Sequence, residues 1–252
     1  SDNSNAGKNV KIDVPDDLSS YKTLKLLTVE MLKKDDSAEA YDITQSDIAI
    51  TEYNNNVIPV QLKSDYKINY NDSEFFSEIT STVDNNKSSY SSYFKNDMFY
   101  TNYSGKNIKS KCDKSEIFDG FKEFVMPKID KECIDKEEFK YVDGYIGKLN
   151  TLNSEKSKEF LKEQIKSLGY MLFGIEAEYE FSDITEELYF KDGYLVNDNY
   201  NFSGTTKVQV KGLNEPVEFK ISFTLQSLFN NRNEKVIITP PDIGSYHYEN
   251  EL

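Results

Sequence analysis

Few residues in this sequence of 252 amino acids have the type and spacing that catalysis or metal binding requires. His247 is the only histidine, so it is the one candidate imidazole for a Ser-His-Asp or Cys-His mechanism, and we expect it to be solvated. Cys112 and Cys133 alone cannot supply a closed zinc site. No glycine-rich phosphate-binding motif occurs. The sequence therefore predicts a protein that is not an enzyme and that uses no metal or cofactor.

Two acidic or amide-rich stretches could still bind or catalyse. Paired carboxylates can hydrolyse glycosides, but Glu178 and Glu180 alternate with apolar residues and are expected on a solvated strand face. Asn197, Asn199 and Asn201 mimic the first ligand positions of a calcium loop. The glycine and the acid that such a loop needs farther along are absent. We interpret both stretches as polar strand faces or loops.

The cysteine pair has two interpretations. In an oxidising compartment, Cys112 and Cys133 would form a disulfide that stabilises the fold by roughly 3 kcal/mol. Alternatively, they are two unpaired thiols, each near the end of a predicted helix. The sequence leaves both open.

The charge and the aromatic content limit the class of partner. A formal net charge of −14 argues against nucleic acid, which needs a basic surface, and against docking on an anionic bilayer through side chains. The chain has 18 Tyr and 16 Phe but no Trp, which is typical of half-buried strands. These features favour a β-rich protein with an apolar ligand or a protein partner.

The first residues of the chain are polar and small. Residues 1–9 contain no apolar side chain larger than alanine, so they cannot bury enough surface to fold. We interpret residues 1–14 as a disordered tether. Mature bacterial lipoproteins begin similarly after their lipidated cysteine.

Alternating apolar and polar residues indicate two antiparallel meanders. The clearest strand extends from Ile58 to Tyr70, with apolar residues at most even positions. Turns rich in Asn and Asp then divide the chain up to about residue 112. A second meander is predicted from residue 175 to residue 239.

Helices are predicted between the meanders. The first begins at Asp113, since Asp113 and Glu116 have the spacing of a capping box, and ends near Pro127. The second extends from Ser154 to Leu168, with Gly169 as its C-terminal stop. The apolar stripe of the first helix contains Ile117, Phe121, Phe124 and Val125.

Two further segments have weaker secondary-structure patterns. Residues 18–32 fit a helix or a strand, and we favour the helix because Leu24, Leu27 and Met31 share one helical face. Residues 139–149 fit another strand, although Gly144 and Gly147 weaken it.

A repeated motif suggests an internal duplication. Residues 93–100 (Tyr-Phe-Lys-Asn-Asp-Met-Phe-Tyr) and 189–196 (Tyr-Phe-Lys-Asp-Gly-Tyr-Leu-Val) both read as hairpins. We predict one β-rich domain over residues 15–240, with related halves at about 15–150 and 151–240. Residues 241–252 are predicted to form a loose tail.

This order of elements, with the hairpin at Lys191-Asp192-Gly193, resembles the LolA/LppX-like group of bacterial lipoproteins. The resemblance implies an α+β, β-dominated fold: a curved antiparallel sheet, or incomplete barrel, with helices on its apolar face. It also implies an extracytoplasmic lipoprotein that binds a lipid-like ligand. Such a protein is anchored to the membrane only through an N-terminal lipid, which this chain lacks. We expect a monomer.

We predict that apolar side chains on the concave sheet face contact the ligand. From the first half these are Tyr66, Ile68, Tyr70, Phe75, Ile79, Tyr90, Phe94, Met98 and Tyr100; from the second half they are Tyr179, Phe181, Phe219 and Phe223. The alternative is a surface structural or protein-interaction lipoprotein without a small-molecule ligand, in which the same aromatics only pack against the helices.

Overall fold

A computed structural model describes residues 21–251, and one large β-sheet organises them. The predicted tether, residues 1–14, lies outside the described residues. The helices are α1 (Tyr21–Asp35), α2 (Lys114–Phe118), α3 (Phe121–Val125), α4 (Ser154–Gln164) and α5 (Lys166–Phe173). The strands are β1 (Ala40–Tyr53), β2 (Asn56–Asn69), β3 (Glu74–Val83), β4 (Asn86–Lys95), β5 (Met98–Tyr103), β6 (Lys106–Lys111), β7 (Ile134–Val142), β8 (Tyr145–Leu152), β9 (Glu180–Lys191), β10 (Tyr194–Val208), β11 (Val217–Arg232) and β12 (His247–Tyr248).

The sheet is continuous across both meanders. Its strand order within the described residues is β12-β6-β5-β4-β3-β2-β1-β11-β10-β9-β8-β7. Neighbouring strands are antiparallel, except that the two-residue β12 runs parallel to β6. Strand β1 joins the meanders, because it pairs with β2 on one side and with β11 on the other. The predicted α+β, β-dominated class with a curved open sheet is confirmed.

Both copies of the repeated motif form the predicted hairpins. The β4–β5 turn has positive φ at Asn96 and Asp97, and the β9–β10 turn has it at Asp192 and Gly193. Successive left-handed residues give a turn whose twist matches that of the flanking strands. Residues 139–149, predicted as one strand, instead contribute to another hairpin, β7–β8. The relationship between the two halves stays a prediction.

The helices cover the apolar face of the sheet in two groups. Helices α1, α2 and α3 pack over a first cluster, which we define by the buried side chains of Met31, Ile68 and Phe94. Helices α4 and α5 pack over a second cluster, which we define by Leu161 and Phe223. The helix favoured for residues 18–32 is confirmed as α1 in its described part, with Leu24, Leu27 and Met31 buried.

The helix predicted from Asp113 to Pro127 is instead two short helices. Its capping box is confirmed, since Asp113 accepts from the backbone of Ser115 and Glu116 accepts from the backbone N–H of Asp113. Gly120, with a φ of 78°, then breaks the helix. Of the predicted apolar stripe, Ile117, Phe121 and Val125 still pack against the first cluster, whereas Phe124 is 63% exposed.

The second predicted helix is also divided, and its predicted stop is wrong. Helix α4 ends at Ile165, and α5 continues to Gly174, which caps it in the left-handed conformation. Gly169 lies buried inside α5. A Cβ atom there would be 2.8 Å from the Tyr179 hydroxyl oxygen, so glycine is needed for packing and not for termination. Residues 175–179, expected in a strand, precede β9.

The C-terminal segment is not a loose tail where the structure describes it. Tyr246 is buried, and its ring lies 5.4 Å from that of Tyr100, in edge-to-face contact. Strand β12 then pairs with β6, while His247 is exposed. The apolar tyrosine ring anchors this segment on the convex face.

The disulfide between Cys112 and Cys133 is not formed in the structure, where both residues are free thiols. Cys112 packs at the border of the first cluster, next to α2. The Cys133 thiol instead donates a hydrogen bond of 3.2 Å to the carbonyl of Lys156 in α4. The two side chains are therefore engaged with different helix groups.

We expect thiol titration of denatured, unreduced protein to find two free thiols. The reason is that each cysteine already has a separate packing environment in the fold. A Cys112→Ser variant should then titrate as one thiol. If the unreduced wild type titrates with none and gains two only after reduction, the described arrangement of these residues is wrong.

Candidate functional site

Most of the predicted ligand-binding residues of the first half belong to the core. Tyr66, Ile68, Phe75 and Phe94 are buried in the first cluster. The rings of Tyr66 and Phe75 lie 5.8 and 5.7 Å from that of Phe121 in α3. These side chains are covered by the helices, which is the role that the alternative interpretation assigned to them.

The remaining first-half residues are divided between the two faces. Tyr70 packs against Phe118, and Ile79 and Tyr90 are half-buried on the concave face. Met98 and Tyr100 were expected on that face, but they lie on the convex one. The register pairs Phe94 with Phe99, so the neighbours of Phe99 in β5 point the opposite way.

In the second half, the predicted residues also pack together. Tyr179, Phe181 and Phe223 are buried in the second cluster. Phe219 is half-buried at its border, with its ring 5.3 Å from that of Phe173 in α5. The structure thus brings the predicted residues into two separate cores and not into one concave surface.

A cavity of about 580 Å³, which we call the central cavity, opens on the concave face. Helix α1 contributes Val29 and Leu32, and the sheet contributes Leu188 and Leu195. Met126 and Ile129, from the chain between α3 and β7, and Ile134, the first residue of β7, complete the apolar wall. The cavity lies where side chains of both clusters meet.

Polar side chains on β8, β9 and β10 form one end of the central cavity, which we call the polar end: Asn150, Glu186 and Asp198. Asn150 and Glu186 are 1% and 5% exposed. The Asn150 amide donates to one oxygen of Glu186 at 2.8 Å, and the Tyr200 hydroxyl donates to the other at 2.9 Å. Burial raises the pKa of Glu186, and these two hydrogen bonds oppose that rise.

Among the three residues of the polar end, the burial of Asp198 is the least offset by hydrogen bonds. Burial, followed by the negative charge of Glu186, raises the pKa of Asp198 well above its ordinary value. Its Oδ1 atom is buried and accepts no hydrogen bond from any residue between 21 and 251, although the residue as a whole is partly exposed. The buried Oδ1 atom of Asn150 likewise accepts no hydrogen bond within residues 21–251.

A chain of ion pairs borders the polar end. Glu137 accepts from Lys25 of α1 at 2.8 Å and from Lys148 of β8 at 3.1 Å. Burial disfavours the charge of Glu137, but the hydrogen bonds from Lys25 and Lys148 hold its pKa below the usual value. Glu137 is therefore an ionised link between α1 and the sheet.

A second cavity of about 360 Å³ adjoins the first, and both are lined by Pro127 and Asp198. Its wall includes Gln45 and Asp47 of β1. Burial raises the pKa of Asp47 to about 7. Gln45 donates to the carbonyl of Val125 at 3.1 Å and so holds the end of α3 over the sheet.

Sequence reasoning missed the polar residues that surround the cavities. Each is a polar residue on the inward face of a strand, where the apolar alternation is interrupted. Glu186 and Asp198 occupy such positions between buried apolar neighbours. The interruption of the apolar alternation was the signal in the sequence by which these residues could have been found. In the described part of the chain, no group of three or more His, Cys, Asp or Glu is arranged to hold a metal ion.

Among known proteins, this chain has weak structural similarities. No family model matches this chain, and no curated protein matches it either. It is similar to the solved structure of LprF from Mycobacterium bovis, with 11% identity and a TM-score of 0.38 over 88% of this chain and 98% of LprF. Within residues 21–251, no helix has the length and apolar character needed to cross a membrane.

Two further solved structures are similar at a comparable level. One is a DUF1329 family protein from Desulfovibrio piger, at 12% identity and a TM-score of 0.25 over 86% of this chain and 94% of that protein. The other is the ywiB protein from Bacillus subtilis, at 8% identity and a TM-score of 0.24 over 77% and 94%. Likenesses this weak carry no argument about function. In its pattern of elements, a curved antiparallel sheet with helices on the apolar face, the chain resembles the LolA/LppX-like group, as its sequence predicted.

Proposed function

We propose that this protein is an extracytoplasmic, membrane-anchored lipoprotein that binds an apolar or lipid-like ligand in the central cavity. The observation that carries the proposal is the cavity itself, about 580 Å³ in volume and walled by α1, the chain that follows α3, and strands β7 to β10. Ligand sites of proteins are typically concave, of about 300–1,000 Å³, and largely apolar with a few polar groups.

The distribution of side chains around the cavity fits an amphiphilic ligand. Leu188 and Leu195 are buried at its floor, and Leu32 and Met126 line it from the helical side. The polar end lies on the same sheet face. A ligand with an apolar body and a small polar head would thus find a matching surface for each part.

A second candidate function is that of a surface interaction protein without a small-molecule ligand. The packing of Tyr66, Phe75 and Phe94 against α2 and α3 favours it, because these aromatics are no longer available as a binding surface. The two candidates differ in whether the central cavity binds anything.

The neutral fluorescent probe N-phenyl-1-naphthylamine can test the proposal, since it needs only an apolar site. We expect saturable binding to the wild type. In a Val29→Trp variant, a larger side chain at the cavity wall should weaken binding by about fivefold or more. Val29 is 42% exposed, so its replacement should leave the core intact.

Leu26→Trp is the matched control. Leu26 also lies on α1 and is 60% exposed, but it does not line the cavity. The Leu26→Trp variant should bind the probe like the wild type. Absence of saturable binding by the wild type would contradict the proposal and favour the interaction protein. Equal weakening by both variants would place the probe elsewhere on α1.

A further inference from the structure

The polar end of the central cavity offers hydrogen-bond acceptors that no described residue satisfies. The Oδ1 atoms of Asn150 and Asp198 are both buried, and neither accepts a hydrogen bond within residues 21–251. A buried acceptor that remains unpaired costs about 1–3 kcal/mol. Two such atoms at one end of one cavity indicate a ligand that donates hydrogen bonds.

These acceptors lie close together on the sheet. Asn150 of β8 pairs directly with Glu186 of β9, which pairs directly with Tyr200 of β10. Asp198 is two residues from Tyr200, on the same face, and its charge interacts with that of Glu186. Glu186 lies between the other two: Asn150 is its direct neighbour on β8, and Asp198 is a diagonal neighbour on β10, within about 7–8 Å. A head group above Glu186 is therefore flanked by Asn150 on one side and Asp198 on the other.

The polar end contains two carboxylic acids and no cationic side chain. Lys148, whose charge acts on Glu186, is paired with Glu137. At the cavity rim, Lys128 is paired with Asp36, and Lys136 is paired with Glu138 at 3.0 Å. At the polar end an anionic head group would thus meet two carboxyl groups, while Lys131, another lysine that lines the cavity, is exposed at the rim.

We propose that the polar end, formed by Asn150, Glu186 and Asp198, binds the ammonium head group of a cationic amphiphile. The inference rests on the proposed function, since it identifies the ligand of that same cavity. An ammonium group carries three N–H donors and no acceptor, which matches acceptors without donors. Its positive charge also offsets the burial of two carboxyl groups, and hydrogen bonds to charged groups are about twice as strong as neutral ones.

Other head groups fit less well. A carboxylate or phosphate contributes acceptors where the site already has acceptors, and it places a negative charge beside two buried carboxyl groups. A hydroxyl contributes one donor and leaves the carboxyl groups without a counter-charge. The chemistry of the polar end therefore favours the ammonium group over both.

Binding of dodecylammonium, dodecanol and dodecanoate to the full wild-type chain tests this inference, because the three share one alkyl chain. Isothermal titration at about pH 7.5, where the amine is cationic and the fatty acid anionic, should give the lowest Kd for dodecylammonium. We expect it to bind about tenfold or more tightly than dodecanoate, with dodecanol between them.

Two isosteric variants test whether the preference for dodecylammonium arises at the polar end. Asp198→Asn should weaken dodecylammonium binding about fivefold or more and leave dodecanol binding nearly unchanged. Asp135→Asn is the matched control, because Asp135 lines the same cavity but is exposed. If Asp135→Asn has an equal effect, long-range charge and not the polar end determines the preference, and the inference fails.

The other outcomes separate the inference from the proposed function. Equal affinity for all three ligands, or tighter binding of dodecanoate, overturns the ammonium site and leaves the apolar cavity in place. If none of the three binds and the neutral probe does not bind, the proposed function fails as well. Should Asp198→Asn fail to fold, the wild-type ligand series still decides.

Discussion

Replacing Arg232 by methionine is expected to lower the free energy of unfolding by about 3–5 kcal/mol, because the change leaves a buried carboxylate without its cation. Arg232 is the only arginine in the sequence. Its side chain is 6% exposed and forms an ion pair with Asp35, whose side chain is 1% exposed. Burial raises the pKa of Asp35 to about 6 despite the opposing effect of the Arg232 charge.

Arg232 also joins three elements. It lies at the end of β11, its partner Asp35 ends α1, and it donates a hydrogen bond to the carbonyl of Leu195 in β10. Its guanidinium group lies 5.4 Å from the ring centre of Phe229 and 5.2 Å from that of Tyr194. Since α1 walls the central cavity, loss of this pair should weaken both the fold and ligand binding.

Chemical denaturation with the matched variants Arg232→Lys and Asp35→Asn/Arg232→Met tests the prediction. Lysine keeps the charge but loses the planar, stacked geometry, so its loss should be intermediate. The double variant also removes the Asp35 carboxylate that Arg232→Met leaves without a cation, so it should recover part of the stability. A loss below about 1 kcal/mol for Arg232→Met would show that this pair behaves like an exposed ion pair.

The parts of the fold that sequence reasoning predicted have strong local signals. Strand β2 follows from period-two alternation, and the β4–β5 and β9–β10 hairpins follow from turn residues that tolerate positive φ. The capping box at Asp113 is likewise encoded within four residues. These features depend little on the rest of the molecule.

Strand β1, which joins the two meanders, was not predicted. Its inward positions include Gln45 and Asp47, so the apolar alternation that begins at Tyr41 and Ile43 is interrupted in the middle. Those interruptions exist because β1 crosses between the two apolar clusters and faces the second cavity. The residues that obscure the strand are the ones that line the cavity.

Two residues of the predicted binding face lie on the opposite face of the sheet for a related reason. One-residue differences in register move a side chain to the other face of a sheet. Met98 and Tyr100 were therefore placed opposite their true side, and Phe99, which packs against the first cluster, was overlooked. Tertiary contacts, and not local sequence, decided which aromatics the helices cover.

Stability is expected to fall as the pH rises from about 4 to about 8, in part through Asp47. Burial raises the pKa of this carboxyl group to about 7 in the folded state, from an ordinary value of 3.8. Between these two values the folded protein holds a proton that the unfolded chain releases. The folded state is thus favoured at low pH, and this contribution is lost as the pH rises through about 7.

Asp35, Glu186 and Asp198 act in the same direction, since burial raises the pKa of each. The titratable side chains that line the second cavity together with Asp47 are Tyr66, Glu123, Glu163, Lys166, Asp198 and Tyr200. Net negative charge adds general self-repulsion at high pH. A test of Asp47 must therefore remove one specific proton site and compare it with an equal change of net charge elsewhere.

The isosteric Asp47→Asn variant makes that comparison possible, because an amide does not ionise. At about pH 8 we expect it to be more stable than the wild type by on the order of 2–4 kcal/mol, since each unit of pKa shift corresponds to about 1.4 kcal/mol. Below about pH 3 the two proteins should unfold alike, because Asp47 is then mostly protonated in both states.

Asp97→Asn is the control, because Asp97 is exposed in the β4–β5 turn and asparagine tolerates its positive φ of 57°. It removes the same charge without removing a buried carboxyl group. Urea denaturation of the three proteins across this pH range should show a flatter profile for Asp47→Asn alone. If both variants gain equally at about pH 8, net charge and not burial explains the pH dependence. A gain confined to Asp47→Asn would instead mean that the fold retains a destabilising acid beside its cavities, a residue that stability alone does not explain.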